Sequence, residues 1–307
     1  MIPPTSAAQP IAVFGATGAQ GGPVVEALLR AGRPVRAVAR NAERLTALAR
    51  RGAQPAAADL GDARAVRTAL DGVAGAFVHL PFMPVPELIE RWSTVVAQAV
   101  LDSSVPTVFT LSGPPSSTPI GVPSFDTKAL AKRILVEAGV PLVGLEPTGY
   151  LGNLSAFFSA PSVVNADELR YPLPATHRQP WISVEDQAAI AVAALERPDL
   201  RGRWFRIGQQ LTGPEIAEAV GQARGRPVRY VPLDPEEFGR SLAPVMGEPI
   251  GAALAADYRA LGERRSELAL DTDTHEIQRE LGLAATPVVD WARNQDWEAA
   301  AAVVSAP

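Results

Sequence analysis

An apolar run of strand length, Pro10–Ala16 (PIAVFGA), leads directly into the loop Gly15-Ala-Thr-Gly18-Ala-Gln-Gly21-Gly22, and an amphipathic helix follows from about Gly22 to Ala31. Glycines at such a junction allow a tight turn, close approach of the backbone to a pyrophosphate, and close packing of helix on strand. The start of the helix then offers free N–H groups and a favourable dipole to phosphate. A glycine-rich turn that holds no ligand is the alternative. The rhythm of the following residues weighs against it.

Apolar strands and amphipathic helices alternate through the N-terminal half. Strands are expected at Pro34–Arg40, Gln54–Asp59, Gly75–Pro81, Thr107–Gly113 and Pro141–Pro147. Helices are expected at Glu43–Arg51, Asp62–Leu70, Pro86–Asp102 and from about Phe125 to Ala138. Gly32, Gly52 and Gly139 stand where helices commonly stop. Repeated β-α-β spacing with right-handed crossovers gives an α/β fold: a doubly wound parallel sheet, the NAD(P)-binding Rossmann fold, spanning residues 10–150. After residue 150 the pattern loosens. Tyr150–Arg178 is rich in aromatics, Pro and Asn. Ser183–Glu196 and Thr212–Arg224 read as helices, the second opened by a capping box, and Gly202–Gly208 and Arg226–Pro232 as strands. Residues 151–307 are expected to form a smaller mixed α/β C-terminal lobe, with some segments returning to the core.

Composition narrows the function. The chain has 307 residues, 47% of them hydrophobic, enough to bury a large core. A net charge of −5 argues against nucleic acid as partner, because phosphate backbones need a basic surface. There is no cysteine, which excludes disulfides, thiolate metal sites and a cysteine nucleophile. The three histidines are far apart in sequence and form no metal-binding spacing. The first ten residues read as a loose tail rather than a secretory signal, and no apolar run is long enough for a membrane span. A cytoplasmic protein is expected, a monomer or homodimer, acting on a small molecule.

The end of the second strand bears on the choice of cofactor. An NAD site places Asp or Glu about 20 residues beyond the glycine loop, to hold a ribose hydroxyl. Here Arg40, Asn41 and Arg44 occupy that region. Arginine pairs with a 2′-phosphate and cannot accept from a hydroxyl, so NADP(H) is the expected cofactor. A solvated surface role for Arg40 is the plainer alternative. Asp59 is placed either to accept from an adenine amino group or to cap the next segment. His79, Leu80 and Pro81 border the switch-point crevice, where His79 reads equally as a structural histidine.

The loop GATGAQGG, the strand ending VARN, the strand TVFTLSG, the helix FDTKALAKRILVEAGVP and the strand LEPTGYLGNL together resemble the NmrA-like family. That family consists of atypical members of the extended short-chain dehydrogenase/reductase superfamily. The pieces WISVEDQAAIAVAALE and GRWFRIGQQLTGPEIAEAVGQARGRPVRYVPLDPEEF are similar to it too, so the resemblance covers roughly residues 10–300. It implies that Gly15, Thr17, Gly18, Ala19, Gln20 and Gly21 form the phosphate loop and that Arg40 meets the 2′-phosphate. Asp59 and Leu60 would flank the adenine, and Leu80 and Pro81 would run beside the nicotinamide ribose. Pro147, Thr148, Gly149 and Tyr150 would wall the nicotinamide, and Lys128 would be the family's lysine.

The superfamily's Tyr-x-x-x-Lys pattern is broken here. Lys128 is present, but Ser124 stands where the tyrosine would be. A serine hydroxyl is a poor proton donor beside a phenol. Lys128, Tyr150 and Ser112 are the remaining catalytic candidates. Lys128 and Lys132 are the chain's two lysines, one helical turn apart, in a sequence that otherwise uses arginine. Glu146 departs from the arginine common in relatives. Phe82, Met83, Tyr150, Leu154, Phe157 and Trp181 are candidates for an apolar substrate pocket, with packing at the lobe interface as the alternative for Phe157. Three functions stay open: an NADPH-dependent reductase of a quinone, enone or related conjugated acceptor; a sensor of the NADP(H) ratio without turnover; or a redox-neutral isomerase or cyclase.

Overall fold

Strand–helix alternation in the first 150 residues builds six parallel strands, and a seventh arrives from beyond residue 200. The computed structural model describes residues 8–113, 119–263, 268, 270 and 272–302. Residues 1–7 of the ten-residue tail expected at the N-terminus, and residues 114–118 between β5 and the next helix, lie outside the described residues. The strands, in chain order, are β1 (Ile11–Phe14), β2 (Val35–Ala39), β3 (Gln54–Ala57), β4 (Gly75–His79), β5 (Thr107–Thr110), β6 (Val143–Pro147), β7 (Gly149–Tyr150), β8 (Glu168–Tyr171), β9 (Arg178–Ile182), β10 (Trp204–Ile207), β11 (Gln209–Thr212) and β12 (Arg229–Pro232). The main sheet runs β10-β6-β5-β4-β1-β2-β3 with every pair parallel. This is the doubly wound arrangement, and its order reverses between β1 and β4.

The helices are α1 (Gly21–Arg30), α2 (Thr46–Arg50), α3 (Ala63–Leu70), α4 (Pro86–Ser103), α5 (Pro123–Glu137), α6 (Ala160–Ala166), α7 (Val184–Leu195), α8 (Gly213–Arg224), α9 (Pro235–Met246), α10 (Glu248–Glu263), α11 (Glu276–Leu281), α12 (Val288–Arg293) and α13 (Trp297–Ala302). Their ends carry the expected chemistry. Asp62 accepts from Arg64 and Ala65 at the start of α3, and Thr212 with Glu215 forms the capping box of α8. The helix expected over Glu43–Arg51 divides into a 3-10 turn and the short α2, because the Asn41 side chain accepts from Glu43 N and fixes a tight turn first.

Apolar layers cover both faces of the main sheet. On one face α1 and α7 pack over Val13, Phe77, Leu145 and Phe205; on the other α3, α4 and α5 pack over Phe14, Val78 and Phe109. Each such side chain contributes roughly 1.5–3 kcal/mol by leaving water. Segments from beyond residue 180 enter the main body. β10 closes the main sheet beside β6, with Phe205 opposite Leu145, and α7 packs on α1. Two small sheets, β11-β9-β7 and β12-β8, frame a separate apolar layer around Tyr171 and Trp181; β12 falls within the strand expected at Arg226–Pro232, while β7, β8, β9 and β11 were not expected as strands.

Candidate functional site

Loops at the carboxyl ends of β1, β2, β4 and β5 enclose a cavity of about 750 Å³ at the point where the strand order reverses. Gly15, Thr17, Gly18 and Gln20 line one wall. Gly15 has φ +70°, a left-handed conformation that glycine adopts without strain. Its carbonyl receives Gly18 N at 2.8 Å and tightens the turn. A Cβ on Gly21 would stand 2.3 Å from that carbonyl oxygen, so the helix sits on the turn only because residue 21 has no side chain. Gln20 precedes α1 without a side-chain cap, and the first turn of α1 holds no acid. The helix start is thus free of protein carboxylate and suited to phosphate.

Arg40, Asn41 and Arg44 form the far rim of the cavity. Both arginines are exposed, and neither meets a protein carboxylate among the described residues. Asn41 spends its side-chain oxygen on Glu43 N at 2.8 Å. Asp59 Oδ1 accepts from Gly61 N at 2.7 Å, a turn role, while the residue still faces the cavity beside Leu60.

Beyond the loop the wall is formed by His79, Leu80, Pro81, Phe82, Met83, Ile89 and Trp92. Burial pushes the His79 imidazole down to about 4, and the Lys128 ammonium adds to this, against a backbone hydrogen bond with Thr110. His79 Nδ1 is buried without a partner, as are Thr110 Oγ1, Thr148 Oγ1 and Gln187 Nε2. Of these residues His79 lines the cavity, and a buried polar atom there fits a polar ligand that supplies the missing hydrogen bond. Together with the glycine cradle and the two rim arginines, which are unpaired among the described residues, it fits a phosphorylated dinucleotide.

The inner end is built by α5. Ser124, Thr127, Lys128 and Ala131 face the cavity, with Ser112 and Leu111 opposite. Lys128 Nζ lies 5.6 Å from the centre of the Phe82 ring and 5.1 Å from that of Phe125. A Cβ on Gly113, which has φ +120°, would come within 2.2 Å of Nζ. Burial among these groups pushes the Lys128 ammonium down, and Asp257 opposes the shift. Ser124 Oγ donates to Asp257 Oδ1 at 2.6 Å.

Other expected residues lie behind the wall. The Tyr150 hydroxyl donates to Gln187 Oε1 at 2.7 Å and lies 2.9 Å from Ser112 Oγ; burial pushes its pKa up. Tyr150 is only 8% exposed, so it supports Ser112 from behind. Pro147 accepts from Gly113 N at 2.7 Å, and Gly149 is pressed against Gln179 and Trp181. Ala19 and Gly21 belong to the loop without facing the cavity. Leu154, Phe157 and Trp181 do not reach it. Leu154 and Trp181 are buried in the lobe core, Trp181 at 5.4 Å from Tyr171, and Phe157 packs edge-on against Phe158. β9 is buried from Gln179 to Ile182, and Trp181 packs between Gly149 and Tyr171, which composition alone could not reveal.

Several residues in or behind the wall lacked a sequence signal. Ile89 and Trp92 read as ordinary core positions of α4. Asp257, from α10, shows in sequence only as one of several charged residues of a helix. Glu146 now has a partner: it is 4% exposed and pairs with Lys132 Nζ at 2.7 Å, and Nζ lies 5.0 Å from the centre of the Trp204 ring. Among the described residues no His, Asp and Glu cluster suits a metal ion.

The model of the NmrA-like family matches residues 7–292. This chain belongs to the NmrA-like family. It is 30% identical over 241 residues to an NAD(P)H azoreductase of Xenophilus azovorans, covering 78% of this chain and 82% of that protein. A triphenylmethane reductase of Citrobacter sp., solved with NADP(H), superposes with a TM-score of 0.73 at 21% identity, over 92% of this chain and 99% of that one. An NADPH-dependent quinone oxidoreductase of Escherichia coli, solved with NADPH, gives 0.71 at 22% identity, over 92% and 98%. At those identities the solved structures establish the shared fold.

Proposed function

We propose that this NAD(P)H-dependent oxidoreductase uses NADPH to reduce an apolar, conjugated acceptor such as a quinone, an enone or an azo compound. The observation that carries this reading is the continuity of one cavity. It runs from the arginine rim, past the glycine cradle, to an inner end walled by Phe82, Met83, Trp92 and the Lys128 stem. The rim fits a 2′-phosphate, and the inner end fits a flat apolar molecule. When bound, the cofactor supplies the hydride.

This chain's residues orient the two reactants and keep water out. A conjugated acceptor spreads the incoming charge and needs less acid help than a simple ketone. That suits a site whose tyrosine is replaced by Ser124 and whose Tyr150 proton is committed to Gln187. The azoreductase relative supports the inclusion of azo compounds.

The test is NADPH oxidation, followed by absorbance, against quinones, enones, azo dyes, aldehydes and imines, with NADH in parallel. Turnover of conjugated acceptors with NADPH preferred is the expected result. Preference for NADH would overturn the role given to Arg40 and Arg44. Tight NADPH binding without turnover of any acceptor would favour a cofactor sensor instead.

A further inference from the structure

A serine at the cavity's inner end is paired with a buried acid that no sequence motif announced. Ser124 and Lys128 stand one turn apart on α5, and both line the cavity. Ser124 is 1% exposed, and its hydroxyl meets the carboxyl of Asp257, itself 5% exposed, at 2.6 Å. Asp257 belongs to α10 and lies behind Ser124, off the cavity wall.

The packing that delivers Asp257 is unusually close. α9 and α10 meet through two glycines: a Cβ on Gly239 would lie 2.5 Å from the Gly251 carbonyl oxygen, and one on Gly251 would lie 2.4 Å from that of Gly239. α10 in turn packs against α5. A buried carboxyl whose hydrogen bond comes from a neutral hydroxyl is poorly compensated as an anion.

We propose that Ser124 delivers the proton to the reduced acceptor and that Asp257 is the positioning residue behind it, which replaces that proton through their shared hydrogen bond. The relay starts with a proton on Asp257: the hydrogen bond that runs from Ser124 Oγ to the ionised carboxyl is then reversed, the Asp257 O–H donates to Ser124 Oγ, and the Ser124 proton is free for the acceptor. When hydride adds to one end of the conjugated acceptor, an electron pair develops at the other end. That atom takes the Ser124 proton as the Ser124 O–H bond breaks, and the Asp257 proton moves to Ser124 Oγ. The acceptor has then gained a hydride and a proton, and the nicotinamide is oxidised. Asp257 is left as a carboxylate facing the Lys128 ammonium until solvent returns a proton. The relay rests on the reading of this cavity as the site of hydride transfer.

The surroundings agree with this assignment. Burial pushes the Asp257 carboxyl up, against the opposing pull of Lys128 and of the Ser124 hydrogen bond. Of the neighbouring ionisable groups, Tyr258 on α10 is hydrogen-bonded to Tyr171 of β8, and Glu236 of α9 is paired with Arg259. Lys128 on α5 is the charge that acts on Asp257. An acid of this kind works only while protonated, so kcat should fall as pH rises through the Asp257 pKa.

The experiment measures kcat against pH for wild type, Asp257→Asn, Ser124→Ala and Ser124→Thr, using NADPH and the fastest acceptor of the panel. NADPH affinity is measured by fluorescence titration on the same samples. Asp257→Asn and Ser124→Ala are expected to lose about 100-fold in kcat, the scale of general-acid help. They should also lose the alkaline fall and keep the wild-type NADPH affinity, while Ser124→Thr restores most of the rate. Infrared spectra of the cofactor-free wild type should contain a protonated-carboxyl C=O stretch at neutral pH that disappears in Asp257→Asn.

Absence of that band in wild type would overturn the proposal, and this holds even if a variant fails to fold. An active wild type with an unchanged pH profile in Asp257→Asn would overturn the relay alone. A wild type inactive on every acceptor would overturn the reading of the cavity, and the relay with it.

Discussion

At the residue scale, the absence of a side chain matters as much as its presence. Gly21 has backbone within 2.3 Å of where a Cβ would stand, and that backbone is the turn proposed to cradle phosphate. Gly21→Ala therefore has to separate α1 from the loop. It is expected to lower stability by about 1–3 kcal/mol, the usual range for overpacking, and to weaken NADPH binding at least tenfold. Thermal melts and fluorescence titration read the two effects separately. His79 makes a prediction of a different kind. Its imidazole is buried and neutral, and its pKa falls from 6.5 in the unfolded chain to about 4 in the fold. Between those values the unfolded chain binds a proton that the folded chain refuses, so stability rises with pH across that window. The contribution is fully present above pH 6.5 and is lost as the pH falls towards 4. Urea titrations of wild type over that range should show this slope, and His79→Gln should lack it.

At the element scale, α5 performs two tasks on two adjacent turns. Its first turns present Ser124 and Lys128 to the cavity, and the next turn anchors the helix through Lys132 to Glu146 on β6 and to the Trp204 ring on β10. Half-buried Arg206, also on β10, faces the same carboxylate. The two lysines thus divide the cavity wall from the anchor. The anchor fixes the rotation of α5 and with it the direction of Ser124. Glu146→Gln removes the counter-charge of Lys132. Because Lys132 is about a third exposed and partly screened, the expected loss is about 1–3 kcal/mol rather than that of a fully buried pair. Urea unfolding measures it. A fall in kcat with NADPH affinity unchanged would show that the rotation of α5 matters to the reaction.

At the scale of the whole molecule, chain order and spatial order part company after residue 150. The N-terminal six strands leave Leu145 of β6 on an edge, and β10 covers it some sixty residues later, while α7 supplies Ala188, Ile190 and Ala191 to the layer over α1. A fragment ending at residue 150 would expose these faces. It is expected to show no cooperative thermal transition by circular dichroism, whereas residues 8–302 melt as a unit. The same long-range return brings Asp257 to Ser124 across 133 residues.

The parallel sheet and the nucleotide end of the cavity were readable from residues close together in the chain. The turn at Gly15, the start of α1 and the arginines after β2 each depend on neighbours within a few positions, where local sterics and strand–helix periodicity act. The substrate end was read less well. Phe82, Met83, Ser112 and Lys128 reach the cavity, while Leu154, Phe157, Trp181 and Tyr150 pack behind it or elsewhere. Which face of a short strand turns inward, and which distant acid meets a serine, follow from how layers pack against one another. Sequence alone determined the fold and the cradle for phosphate. The tertiary structure decided the proton path and the shape of the inner end, because contacts between distant segments are set by packing of the folded layers and leave no local periodic signal.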